Sequence, residues 1–302
     1  RNLKPNISSD YLEYLNSNGV PTDIPVVLSH GLFSNLTTWE VLGAEISNTG
    51  RDTWLIEITG GPSQDCDECV DYTFDDLTDS YVPALLNGVL DFTNRDKIQY
   101  VGFSNGCRAA LDSLERNMFD SNKVETFVAV GCPGAFEELS LLDSGVLLVD
   151  DRIIENLQKK GVNHVDIGDM FKLGLFNRNT IADEESGKIS LNLWKNYLNF
   201  MSLMNDTQPG SITLTKFAII QGTALGTSDG IVTTIDEDSI YSNVQLKNTS
   251  NTQSVKQSFK VLAFHSNLDT RTITKTLIRR LINNEELTFF ERTFNLLNES
   301  KT

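Results

Sequence analysis

Residues 98–106 read Ile-Gln-Tyr-Val-Gly-Phe-Ser-Asn-Gly. An apolar, strand-prone run leads without a spacer into the pattern G-x-S-x-G. Two readings compete. One is a glycine-rich turn with an incidental serine. The other is a strand that ends in a tight turn and lifts the Ser104 hydroxyl to the edge of a sheet. A pattern this short cannot choose between them. The choice depends on a strand before, a helix after, and a base, an acid and amide donors placed elsewhere in the right order.

The surroundings of the stretch supply the first two. Asn105 to Asn117 has helical spacing, with Ala109, Ala110, Leu111 and Leu114 on the inward side. Upstream, Pro25 to Ser29 is a short buried-strand run that stops at His30-Gly31, and Leu36 to Ser47 follows as a helix capped by Ser34 or Asn35. Thr53 to Ile58 is a strand closed by Gly60-Gly61-Pro62, and Phe74 to Phe92 is a helix with Leu77, Tyr81, Leu85, Val89 and Phe92 in step. Val124 to Val130 is the next strand. Such alternation predicts an α/β protein with a mostly parallel sheet and helices on both faces.

The alternation breaks after Gly131-Cys132-Pro133-Gly134. Residues 133–212 read as a mainly helical cap insertion, with helices over Asp150 to Lys160 and Ser190 to Met204. Strands resume at Lys216 to Gln221 and Gln257 to Phe264, and a helix over Thr270 to Asn283 closes the pattern. The expected division is a core of 1–132 and 213–302 around an insertion of 133–212.

A serine hydroxyl needs a base to take its proton and a carboxylate to orient that base. The chain has three histidines, His30, His164 and His265. Sites on parallel sheets form at the carboxyl ends of strands. His30 and His265 stand at such ends, whereas His164 falls in the insertion. Asp229 lies between Ser104 and His265 in the chain, in the loop leaving the Lys216–Gln221 strand. Asp236, Glu237 and Asp238 compete with it, but they cluster farther along and read as solvated. The helix starting at Asn105 points its amides at the site. The turn after His30-Gly31 lies beside the serine's strand, which makes the Leu32 amide the natural second donor.

Taken in order, SHGL (29–32), GFSNG (102–106), SDGIV (228–232) and FHSNL (264–268) resemble the α/β-hydrolases, and among them the lipase and esterase group. The resemblance covers about residues 25–134 and 213–284. It implies Ser104 as nucleophile, His265 as general base and acid, Asp229 as the orienting acid, and the Leu32 and Asn105 amides as an oxyanion hole. It implies a structural role for His30. It also implies hydrolysis of carboxylic esters through an acyl-enzyme. Transfer of the acyl group to an alcohol is one alternative, and an inactive binding protein on the same scaffold is another. Cys107 departs from the pattern, since many relatives have glycine there. A Cys107–Cys132 bridge fits the topology, because both residues follow adjacent strands.

Composition narrows the partners. A net charge of −16 in 302 residues leaves no basic stripe for phosphates, so no nucleic-acid partner is expected. No apolar run approaches the ~18 residues that span a bilayer. Cys66 and Cys69 form a lone C-x-x-C in an acidic loop, read as a local disulfide rather than half of a zinc site. Sequons at Asn6, Asn35, Asn205, Asn248 and Asn298 permit a secreted, extracytoplasmic life. Asp65, Asp67, Glu68, Asp71, Asp75 and Asp76 lack the spacing of a calcium loop and read as a solvated face, and the implied ester chemistry needs no metal or cofactor. In the insertion, Leu193, Trp194, Tyr197, Leu198, Phe200, Met201 and Met204 make an apolar stripe. Such a stripe packs a helix on the core or forms a lid, and in the second reading Trp194, Tyr197, Leu198 and Met201 are the candidates to line an acyl pocket for an ester or lipid substrate.

Overall fold

The strand runs are apolar on both faces, and a strand like that is stable only where helices cover both sides. The computed structural model has this arrangement. It describes residues 1–4, 7–31, 34–58, 72–134, 151–162, 164–166, 188–190, 212–230, 232–247 and 254–286. In chain order the strands are β1 (Asn2–Leu3), β2 (Val26–Ser29), β3 (Thr53–Ile56), β4 (Ile98–Phe103), β5 (Val124–Val130), β6 (His164–Asp166), β7 (Lys188–Ser190), β8 (Thr213–Leu214), β9 (Lys216–Gly222), β10 (Gln245–Leu246) and β11 (Val255–Val261).

Seven strands form the main sheet in the order β1-β3-β2-β4-β5-β9-β11. Every neighbouring pair is parallel except β1 with β3. Side chains alternate between faces as strand geometry demands. Val27, Tyr100, Phe127 and Phe217 face one layer with Leu86, Leu90 and Leu111. At positions of the other parity, Leu28, Val101, Val128 and Ile220 face Trp39, Leu42, Ile46 and Ile278. Helices Val82–Thr93 and Asn105–Glu115 therefore cover the first face, and helices Glu40–Asn48 and Thr272–Ile282 the second.

Three departures from the sequence reading have local causes. Helix Phe74–Thr93 contains a wide turn over Leu77–Tyr81, where the Val82 amide reaches back to the Leu77 carbonyl. Pro83 follows directly; it has no N–H to donate and its ring crowds the carbonyl one turn back, so the wider turn makes room. Between residues 135 and 211 the described residues comprise helix Asp151–Lys159 and an antiparallel pair, β6 with β7. Three-residue strands are too short to leave a periodic signal, and Ser190 ends β7 rather than starting a helix. The expected helix beyond it, with Trp194, Tyr197, Leu198 and Met201, lies outside the described residues. At the far end, β11 stops at Val261, and His265 opens a separate helical turn, His265–Leu268.

The end of the sheet opposite the loops is tied by one cation. Arg51 is fully buried and donates to the Ile282 carbonyl (2.7 Å), Asn283 Oδ1 (2.9 Å), the Ile24 carbonyl (2.9 Å) and Gln99 Oε1 (2.5 Å). Burial pushes its guanidinium down to about 9. Arg51→Ala strands several buried acceptors at once, and we expect a loss of about 3 kcal/mol or more. The midpoint of urea unfolding reads this, and an unchanged midpoint would show the network to be dispensable.

Candidate active site

The strand order reverses at β2, where β3 lies on one side and β4 on the other. A crevice opens at such a switch point, at the carboxyl ends of the strands. Ser29 of β2 pairs in register with Gly102 of β4, so the turns that follow these strands meet there.

Ser104 has φ 50° and ψ −118°. A non-glycine residue rarely holds that conformation, and it costs of order 1–3 kcal/mol. The neighbouring glycines make it feasible. A Cβ at Gly102 would lie 2.6 Å from Cys107 Cα, and one at Gly106 would lie 2.5 Å from the His30 carbonyl. The turn is held from below by Tyr100, whose hydroxyl donates to the Gly106 carbonyl at 2.7 Å, and from the side by the Ser104 amide, which donates to the Val130 carbonyl at 2.9 Å. Burial raises the Tyr100 phenol, which keeps it a donor.

The turn brings three of the expected side chains into one hydrogen-bonded row. His265 Nε2 is 2.8 Å from Ser104 Oγ, and His265 Nδ1 is 2.7 Å from Asp229 Oδ2. Asp229 is 1% exposed and His265 7%. Asp229 is fixed through its other oxygen, which accepts the Val232 amide at 2.7 Å. Its carbonyl accepts the His265 amide at 2.8 Å, so backbone and side chain hold the pair together. The Phe103 ring stacks on the imidazole with centroids 5.0 Å apart. Gly131 and Gly222 close the back: a Cβ at Gly131 would stand 3.2 Å from His265 Nδ1, and one at Gly222 2.5 Å from Asp229 Cβ.

The amide donors are only partly described. Asn105 begins the helix that follows Ser104. Leu32 lies outside the described residues. Gly31, just before it, abuts the serine, because a Cβ there would be 3.2 Å from Ser104 Cβ. His30 is buried apart from the row. With its proton on Nδ1 it donates to the Gly31 carbonyl at 2.7 Å, and its Nε2 accepts the Ile58 amide at 3.1 Å. It shapes the turn.

The sequence reading misses several features. It takes Asp236 and Glu237 as solvated, yet they are 3% and 0% exposed; of the three acids only Asp238 is exposed. Thr233 caps helix Thr234–Asn243 by accepting the Asp236 amide, and that T-x-x-D spacing is the available signal that both acids sit in a first helical turn. Asp236 Oδ2 accepts the Gly134 amide at 2.7 Å, and Glu237 Oε1 the Cys132 amide at 3.1 Å. Asp269, one turn past His265, is buried and its carboxyl is pushed up to about 6 by desolvation. The Cys107–Cys132 bridge that the sequence allows is, by contrast, present, with Cα atoms 5.6 Å apart. The bond joins the helix after Ser104 to the segment after β5 and, across 25 residues, contributes about 3 to 4 kcal/mol through the unfolded chain.

Other residues named in the sequence have structural partners. Asn35 is buried and accepts the Thr37 amide at 2.8 Å, so that sequon serves as a helix cap. Of the acidic run, Asp76 caps its helix with Thr73 and Asp75 pairs with Arg116 at 2.7 Å; residues 65–71 lie outside the described residues. Among the described residues no group of acids, histidines and cysteines could hold a metal ion, and no helix is long and apolar enough to cross a membrane.

No family model matches the sequence. It is 28% identical over 129 residues to the gastric triacylglycerol lipase of Rattus norvegicus, an alignment covering 38% of this chain and 33% of that protein. It is 25% identical over 146 residues to lipase member M of Homo sapiens, covering 44% and 34%. The matches thus span about a third of these relatives' length. Among solved structures, a monoacylglycerol lipase of Paleococcus ferrophilus superposes with TM-score 0.56 at 14% identity, over 89% of this chain and 97% of that one. Mouse alpha/beta hydrolase domain-containing protein 10 gives 0.55 at 14% identity, over 94% and 91%. The chain thus has the fold of the α/β-hydrolases, and in sequence it is similar to lipases over about a third of their length.

Proposed function

We propose that the chain is a serine hydrolase of carboxylic esters. The observation that carries this reading is the Asp229–His265–Ser104 row, with spacings of 2.7 and 2.8 Å, ending on a serine in a strained turn. The similarity to lipases supports the choice of ester as substrate.

In this reading the Asp229 carboxylate accepts His265 Nδ1–H and so leaves Nε2 with its lone pair towards Ser104. As Ser104 Oγ attacks the ester carbonyl, its proton passes to Nε2, and Asp229 stabilises the imidazolium. The tetrahedral oxyanion faces the Asn105 amide at the helix N-terminus, with the Leu32 amide as second donor. Collapse of this intermediate breaks the bond to the alcohol, which leaves with the proton from Nε2. Water then repeats the sequence on the acyl-enzyme, giving up its proton to His265, and the carboxylic acid departs from a regenerated Ser104.

The loops that carry Asp229 and His265 also expose Leu225 and Phe264, 45% and 44% accessible, both next to Gly230. Apolar rims of this kind suit an acyl chain better than a polar peptide. The insertion, with Trp194, Tyr197, Leu198 and Met201, is the proposed cap over that chain. The Cys107–Cys132 disulfide supports an oxidising, extracytoplasmic compartment.

The test is hydrolysis of p-nitrophenyl esters of increasing acyl length. Each buried methylene is worth about 0.8 kcal/mol, so kcat/KM should rise at least about tenfold from acetate to a medium-length chain. A protein inert on every ester would refute the substrate class.

A further inference from the structure

Glu237 has no part in the chemistry just described, yet it is fully buried a short way behind it. Its Oε1 accepts the Cys132 amide, and its Oε2 meets no hydrogen-bond partner among the described residues. The segment it grips is the wall of the site. Cys132 is bonded to Cys107, which lies three residues after Ser104 in the helix's first turn. Gly131, just before it, packs against the edge of the His265 ring that carries Nδ1 and Cε1.

Among the described residues, the charged groups set against Glu237 are acidic: Asp229 from the loop after β9, and Asp236 and Asp238 from its own helix. His265 lies beyond Asp229, with Asp269 one turn past it in the chain. An ionised Glu237 would be a buried carboxylate with one oxygen unmatched and no cation among those neighbours, which is an expensive state. Desolvation first, and then Asp229, push its carboxyl well above the usual range; the Cys132 amide only partly opposes them.

Building on the serine-hydrolase reading, we propose that Glu237 is a positioning residue that works as a neutral carboxylic acid. It anchors the Cys132 amide, and with it the Gly131 turn that backs the His265 ring, without placing a second negative charge behind Asp229.

Glu237→Gln keeps a neutral acceptor for the Cys132 amide, whereas Glu237→Ala and Glu237→Asp withdraw it. The rate of covalent reaction with a fluorophosphonate across about pH 5 to 9, with kcat and KM on an ester, separates the possibilities. The glutamine variant should keep kcat within about twofold and the midpoint of the acid limb within about 0.3 pH unit. The alanine variant should lose about tenfold or more in kcat with KM changed less than about twofold. Should it not fold, the aspartate variant, whose shorter arm cannot reach Cys132, carries the same expectation. A glutamine variant whose acid limb drops by about 0.5 unit or more would show that a charge stabilising the imidazolium had been removed, and would overturn the neutral assignment. Full kcat in the alanine or aspartate variant would overturn the positioning role. A wild-type protein that fails to react with the fluorophosphonate would instead defeat the serine-hydrolase reading itself.

Discussion

Ser104→Ala is expected to lower kcat by a factor of about 10⁶ while leaving the fold and KM nearly unchanged. The reasoning is local. The Oγ is the only atom the substitution removes, and the turn keeps its glycines, its Tyr100 brace and its Val130 hydrogen bond. Alanine tolerates φ 50° no better than serine, so the folded state gains no relief that would disguise the effect. The residual rate comes from substrate binding and amide donors alone. In the proposed mechanism the three side chains act as one unit, so a further His265→Ala change on this background should cost almost nothing more. Steady-state kinetics on the best p-nitrophenyl ester checks both statements, and a loss below about tenfold in the single variant would mean that another group attacks the carbonyl.

Asp229→Asn is expected to cost about 10⁴ in kcat, with little change in stability. The Val232 amide donates to Asp229 Oδ1, so an asparagine keeps its oxygen on that side. Its NH₂ group then faces His265 Nδ1. A donor there forces the imidazole into the tautomer with the proton on Nε2, and a protonated Nε2 cannot accept the Ser104 proton. The geometry survives while the chemistry stops. A change of about tenfold or less would show that another carboxylate orients His265, and buried Asp269, one turn further on, would be the first to examine.

The α/β alternation is legible because parallel strands buried on both faces read as unbroken apolar runs, as Val26–Ser29 and Ile98–Phe103 do. Ser104, Asp229 and His265 are legible because each follows a strand end that the topology gathers at one edge of the sheet. Glu237 and Asp236 escape for the opposite reason. Acidic residues in sequence read as solvated, and burial comes here from the tertiary contact of a helix start with the Cys132–Gly134 segment. The wide turn before Pro83 and the β6–β7 pair depend on one proline and on three-residue strands, signals too small for periodicity to register. The Gly131 and Gly222 contacts are also invisible, since a glycine in sequence does not disclose what its missing Cβ would strike.

The central claim is that Ser104 is an activated nucleophile. Its most direct test is exposure of the folded protein to a fluorophosphonate, followed by peptide mass spectrometry. Activation by His265 predicts one adduct per chain, located on Ser104, formed rapidly at neutral pH and absent in His265→Ala. Absence of an adduct in the wild-type protein, or an adduct on any other residue, would contradict it.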